Sequence, residues 1–355
     1  MIVRLAALIF ALACFGAQAG ATTLADLIEG ARKEGVLRGQ WGQASFGGSE
    51  GFKEIVANMN KKYKLDLKGQ YTPGPDMQAL MLRVIQESAA GQPASTDVYL
   101  GNAQAMLDGL NAKVLKPMTY NQFIQDKPAT EGKFNPIAAD GTHVAVATAV
   151  VGVLYNTNAV KGNDIPKRIE DVLNPKWKGK IASTPYAASF DRLAMIWGEE
   201  KTTAFLEKFV TQVSGLIRCG EDDRIAAGEF AMLVFNCDLA APQEAKEKGG
   251  PVDGQVFRDA GILSYWYVTV PSNARNPNAA TLLAAFLLSK DGQDILYNTE
   301  RSSSHLVKGT PMQKFVAEQE KRGVKFTSYS VSEVFKNAAD HSRIRQKFQK
   351  ILAGN

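Results

Sequence analysis

From His143 to Tyr155 the chain reads HVAVATAVVGVLY, an unbroken apolar and β-branched run. Such composition favours strand. Strands usually hold about five or six residues, so this run is long for one, and it suits a strand that crosses between two lobes. Ile262 to Val270 is a second crossover candidate. The 355 residues exceed one typical domain and suit two.

Around these runs helix and strand periods alternate. Thr22 or Thr23 is placed to cap a first helix with Leu24, Leu27, Ile28 and Ala31 on one face, and Gly35 to end it. Residues 36–40 read as a strand, and Phe52, Ile55, Val56 and Met59 mark a second helix. Leu65 and Leu67 predict a second strand, and Thr72-Pro73-Gly74-Pro75 a break. A helix follows through Leu80, Val84 and Ile85, then a strand at Asp97-Val98-Tyr99-Leu100 and a helix from near Asn102. The second series predicts strands at 179–183, 215–219 and 230–236, with helices at 189–198, 201–213 and 221–227. Helices at 277–289 and 291–298 and a polar helical tail complete the chain. This alternation predicts an α/β fold built on open sheets.

The start of the chain reads as a secretion signal. Arg4 is followed by an apolar run, Leu5 to Phe15, too short to span a bilayer. Ala17-Gln18-Ala19 is a small-x-small cleavage site, which makes 1–19 a signal peptide and places the mature chain in the periplasm. A rival reading acylates Cys14, although Ala11 stands where a lipobox carries Leu. Two further cysteines, Cys219 and Cys237, allow either one disulfide or two buried thiols.

With 45% hydrophobic and 22% charged residues the composition is globular, and a net charge of +5 is mild. Arg343, Arg345, Lys347 and Lys350 have the spacing of a solvated helix face, so no nucleic-acid partner is expected. The three histidines, His143, His305 and His341, form no zinc-type pair. No P-loop, dinucleotide GxGxxG or GxSxG turn occurs, so neither a cofactor nor a catalytic residue is expected. Gly47, Gly48 and Gly51 fall near a helix start, as turn residues or as amides facing an anion. Glu221-Asp222-Asp223 reads as a stabilising acidic helix start.

In open α/β sheets ligands bind beyond the carboxyl ends of the strands. Here those ends are Gln40-Trp41-Gly42, Gln70-Tyr71-Thr72, Gly101-Asn102, Ser183-Thr184-Pro185-Tyr186, Arg218-Cys219-Gly220 and Asn236-Cys237-Asp238.

Several segments resemble family 1 bacterial extracellular solute-binding proteins, above all their ferric-ion-binding branch. They are Leu154-Tyr155-Asn156-Thr157, the run from Asn174 to Ala182 (NPKWKGKIA), Ile225 to Glu229 (IAAGE), and Leu282 to Asp294 with its FLLS and GQ. The resemblance implies a type II two-lobed fold that closes around a small-molecule ligand. It implies lobe one at 22–148 plus 264–309 and lobe two at 149–263 plus 310–355. It also implies a monomer that docks on the membrane permease of an ABC importer. Where the ferric branch has paired tyrosines, this chain has Cys237 and Asp238; its acidic ligand falls at Asn102 and its histidine near Ala44. Iron(III) prefers hard anionic oxygens, so the departure speaks against bare ferric ion. The family also holds an anion at lobe-two helix starts, where Ser189, beside Tyr186, and Arg218 fall here.

The expected cargo is therefore a small organic anion, zwitterionic or aromatic in variants. Arg218 would clamp it, the helix start at Ser189 would donate amides, and Trp41 and Tyr71 would cover an apolar body. Asn102 and Asn236 line the strand ends, and Asp238 would answer an amine. Each has a structural alternative: core for Trp41, a surface turn for Tyr71, and packing on the crossover for Tyr186. Arg218 has an ion pair with Glu221 or Asp222 as its alternative, and Asp238 a helix cap. Two other functional classes remain open: a ferric-ion or metal-chelate receptor, and a periplasmic enzyme on the same fold with Asp238 as its acid or base.

Overall fold

The computed structural model describes residues 23–43, 45–124, 135–240 and 242–354. The signal peptide at 1–19 and Ala44 lie outside the described residues.

The first half lays down parallel strands between helices. Helix α1 (Leu24–Glu34) starts on a Thr23–Asp26 capping box and stops at Gly35, whose left-handed φ of 65° favours glycine. Then come β1 (Val36–Trp41), α2 (Gly48–Tyr63), β2 (Lys68–Pro73), α3 (Met77–Ala89), β3 (Val98–Gly101) and α4 (Ala103–Asn111). Strand β2 begins after the Leu65 and Leu67 alternation that predicts it, and it runs on to Pro73, where a break is expected. As a sheet-edge strand it tolerates the proline.

The run at 143–155 is one strand, β4 (His143–Asn156), buried along its whole length. Burial on both faces explains why it shows no polar alternation. The second series is β5 (Ile181–Ser183), α5 (Ala188–Trp197), α6 (Glu199–Phe209), β6 (Val213–Leu216), α7 (Asp223–Ala226) and β7 (Met232–Asn236). It continues with α8 (Pro242–Glu247), β8 (Val252–Gln255) and the second long strand, β9 (Gly261–Thr269). The chain ends with α9 (Pro277–Leu287), α10 (Lys290–Glu300), α11 (Pro311–Lys321), β10 (Phe326–Tyr329), α12 (Val331–Lys336) and α13 (Ala338–Leu352). Short elements α8, β8 and β10 carry too little periodicity to be predicted.

The strand order is β2-β1-β3-β9-β4-β7-β5-β6, with β10 on β9 and β8 on β4. Strand β4 pairs antiparallel with β9 from His143 to Val151, then with β7 and β8 from Gly152 onward. The register shifts at Gly152, where a Cβ would lie 2.5 Å from the Gln255 carbonyl oxygen, so only glycine fits. One strand thus serves two strand sets, which is how the long run crosses.

Helices α1, α2, α9 and α10 pack with one face of the β1–β3–β4 region. Residues of α3, α4, α11 and α12 form the core on its other face, and α5, α6 and α13 pack around β5 and β7. Asp97, fully buried, binds strand to helix by accepting from the amides of Arg38, Arg275 and Asn276. The C-terminal stretch therefore divides, with α11 and α12 beside α4 and α13 beside α5 and α6.

The basic tail is not a plain solvated face. Arg343 and Lys347 pair with Glu199. Arg345 reaches the buried Asp191 at 2.5 Å and donates to the Tyr329 hydroxyl. A helix-face pattern cannot reveal these partners, because they come from α5, α6 and β10.

Candidate functional site

The carboxyl ends of β5, β6 and β7 lie side by side, since β5 pairs in parallel with both neighbours. Cys219 and Cys237 are joined by a disulfide with a Cα–Cα distance of 5.7 Å. It ties the turn after β6 to the turn after β7, and so holds Arg218 and Asp238, one residue from either cysteine, in one region.

Arg218 is exposed, and its amide donates to Glu221 Oε2 at 2.9 Å. Glu221 thus takes its backbone, while no ion pair engages its guanidinium among the described residues. Tyr186 is 40% exposed in the loop between β5 and α5. Burial pushes its hydroxyl pKa up, Arg218 pulls it back, and Glu221 and Asp76 raise it again. Asp76 is the N-cap of α3, so this loop senses charge from the first strand set.

Three polar atoms at these strand ends lack partners among the described residues. Ser183 Oγ, Thr184 Oγ1 and Asn236 Oδ1 are buried without a hydrogen bond. A buried polar atom left without any partner costs about 1–3 kcal/mol. Ser189 is buried in the first turn of α5 close by.

Three carboxyls approach the crossover. Asp238 Oδ1 accepts from Val150 N on β4 at 3.1 Å and from Ala240 N at 3.0 Å. Burial pushes its pKa up to about 7, against those two amides, and Asp222 adds to the rise. Asp222 stands at the N-cap position of α7 and Asp223 in its first turn, as the acidic helix-start reading has it, but the Asp222 side chain makes no capping hydrogen bond. It accepts instead from Asn236 Nδ2 at 3.4 Å. Burial pushes Asp222 up to about 6, and Asp223 adds to this. Glu300 is pushed up to about 8 by burial, opposed by the Phe46 amide and raised further by Asp238. The glycine-rich start of α2 thus faces an acid of the protein itself, Glu300.

Sequence reasoning passed over Glu300. Its signal was position: a carboxylate on the last residue of a helix opposes the helix dipole, and it stays there because α2 supplies amide donors. Nearby, Thr148 N donates to Ser303 O at 3.0 Å and Thr148 Oγ1 bonds His305 Nδ1 at 2.9 Å. The Glu300–His305 turn and the Asp238 turn therefore grip β4 two residues apart.

The aromatic candidates lie elsewhere. Trp41 is 2% exposed, packs edge-on against Phe46, Phe52 and Tyr71, and donates to Ser45 O. It is core. Tyr71 donates its hydroxyl to Trp41 O and is half-buried on the same cluster. Asn102 caps α4 by accepting from Ala105 N, and Gln78 donates to the same oxygen. Of the eight expected ligand residues, the structure gathers Tyr186, Ser189, Arg218, Asn236 and Asp238 on the β5–β7 ends.

The sequence profile of bacterial extracellular solute-binding proteins matches residues 97–330. The chain belongs to this family. Among its relatives, the major ferric iron-binding protein of Neisseria meningitidis is 27% identical over 228 residues, 60% of this chain and 66% of that protein. The Fe(3+)-binding periplasmic protein of Serratia marcescens is 29% identical over 36% of this chain and 37% of its own length. The chain thus spans just under two thirds, or less, of the length of these relatives. Two-lobed folds of the same type appear in AfuA of Actinobacillus pleuropneumoniae with bound fructose-6-phosphate (TM-score 0.68, 19% identity, 89% of this chain and 98% of that one). Apo ferric ion-binding protein A of Pasteurella haemolytica also aligns, with TM-score 0.67 and 14% identity over 89% of this chain and 98% of that one. The family member described here therefore has the type II two-lobed α/β fold.

Proposed function

We propose that this family member is the periplasmic receptor of an ABC importer and captures a small organic anion between its lobes, without turning it over. The observation that carries the reading is the pair of unpartnered hydroxyls, Ser183 Oγ and Thr184 Oγ1, which can donate to an anion, in the same region as Arg218, whose guanidinium has no ion pair among the described residues. The start of α5 adds amides and a partial positive charge to that spot. A ligand there would bring the lobes together, because only the closed form touches it from both sides. The closed receptor would then dock, as a monomer, on its permease. We take lobe one as 22–148 plus 264–309 and lobe two as 149–263 plus 310–355, with α11 and α12 of that last stretch packed beside α4 and α13 beside α5 and α6.

A ferric cargo draws on the names of the relatives. Against it, Cys237 is bridged and Asp238 holds two backbone amides where the resemblance puts paired tyrosines.

Thermal unfolding of residues 20–355 against organic acids, phosphonates, sugar phosphates, amino acids and ferric salts tests the reading. A ligand at a hundred times its Kd stabilises by about 2.7 kcal/mol. The expected result is a shift with an anionic solute that Arg218→Ala removes. A shift with ferric salt alone, together with a visible absorption band, would replace the cargo.

A further inference from the structure

We propose that Asp222, Asp238 and Asn236, facing Glu300 beside the crossover strand, form a seat for an ammonium group, so that the cargo is a small zwitterion. This rests on the receptor reading above and names the other end of its ligand.

Asp238 spends one oxygen on two backbone amides, and its Oδ2 makes no hydrogen bond among the described residues. Asp222 and Glu300 likewise bond only to neutral donors: the Asn236 amide, and the backbone amides of Phe46 and Gly47. None of the three is ion-paired among the described residues. Three acids near one another, with no cation of the protein between them, are held at a cost that an incoming cation removes.

An independent observation points to a ligand at the same place. Asn236 is 2% exposed, and its amide nitrogen reaches Asp222 while its Oδ1 has no partner. That oxygen lacks a donor, and an ammonium carries three. No three His, Cys, Asp or Glu side chains among the described residues gather closely enough to hold a metal ion.

The disulfide ties the turn that carries Arg218 to the turn that carries Asp238. Arg218 and Asp238 flank cysteines whose Cα atoms are 5.7 Å apart. Solutes that carry an acid and an amine on one short chain are therefore the first probes.

Isothermal titration with matched probes tests this: 3-aminopropylphosphonate against propylphosphonate, and 4-aminobutyrate against butyrate, at pH 8.5. The amine-bearing member of a pair is expected to bind at least about tenfold more tightly, the range for hydrogen bonds to charged groups. Asp238→Asn, which keeps an oxygen for the Val150 and Ala240 amides, is expected to erase that ratio while the desamino probe still binds. Asp222→Asn serves as the second variant, because its carboxyl holds no backbone group. Equal binding within each pair, or an unchanged ratio in both variants, would overturn the seat. If all four probes fail while another solute of the wider panel raises Tm, the seat falls and the receptor stands. If no solute of the panel binds, both fall.

Discussion

Arg301 Nε donates to Glu247 Oε2 at 3.0 Å, and the pair joins the end of α10 to the end of α8. Arg301 ends α10 with a left-handed φ of 56° and lies over the Tyr297 ring at 5.2 Å. Its Nη1 donates to the Tyr297 carbonyl, so the guanidinium is already fixed before it meets its partner. Glu247 ends α8, which rests on β8, and β8 pairs with the last residues of β4. Helix α10 packs instead on α2 and α9. Parting the lobes would break this pair.

Glu247→Ala should therefore shift the ligand-free protein toward the open form. A partly exposed ion pair contributes at most about 1 kcal/mol, so ligand affinity should fall about two- to fivefold. Small-angle scattering of the ligand-free variant should show a larger radius of gyration. Unchanged affinity together with unchanged scattering would mean that the pair does not govern closure.

The fold was legible because its strongest signals are local. The run at 143–155 could be neither a surface strand nor a short one, and the Thr23 and Gly35 caps bracket α1 as the residues imply. The site was legible at one end only. Strand ends named Tyr186, Arg218, Asn236 and Asp238, but Trp41 became core because Phe46, Phe52 and Tyr71, from other elements, surround it. Asp222 and Glu300 were hidden for the same reason. A carboxylate at a helix end looks solvated until another element buries it, and only tertiary contacts place Asn236 or Phe46 against it.

Removing the disulfide should destabilise the protein and loosen the site together. The bridge spans a sequence separation of 18 residues, and closing a loop of that size is worth about 3 kcal/mol. The Cys219→Ala, Cys237→Ala double variant should unfold at clearly lower temperature or denaturant concentration than the parent. Its affinity should also fall, since Arg218 and Asp238 would lose their common tether. Stability equal to that of the parent would show that the two turns are fixed by packing alone.

The buried carboxyls give the ligand-free protein a pH dependence of definite sign. Asp222, Asp238 and Glu300 rise from ordinary values of 3.8, 3.8 and 4.5 to about 6, 7 and 8. Above the ordinary values the unfolded chain releases these protons while the folded chain keeps them. Their stabilising effect is complete below pH 4 and is lost as pH rises through the folded values. His143 and His305 act oppositely: burial lowers both from 6.5 to about 4, so stability is lost as pH falls through that range. The two trends cancel in part below pH 6.5, and the carboxyls act alone above it. Tm should thus decline by a few degrees between about pH 6.5 and 8.5 and then level. Asp238→Asn and Glu300→Gln should each flatten that decline and raise Tm at pH 8.5. A Tm that climbs over this interval, or a slope unchanged in both variants, would mean that these carboxyls are already ionised in the folded protein at neutral pH.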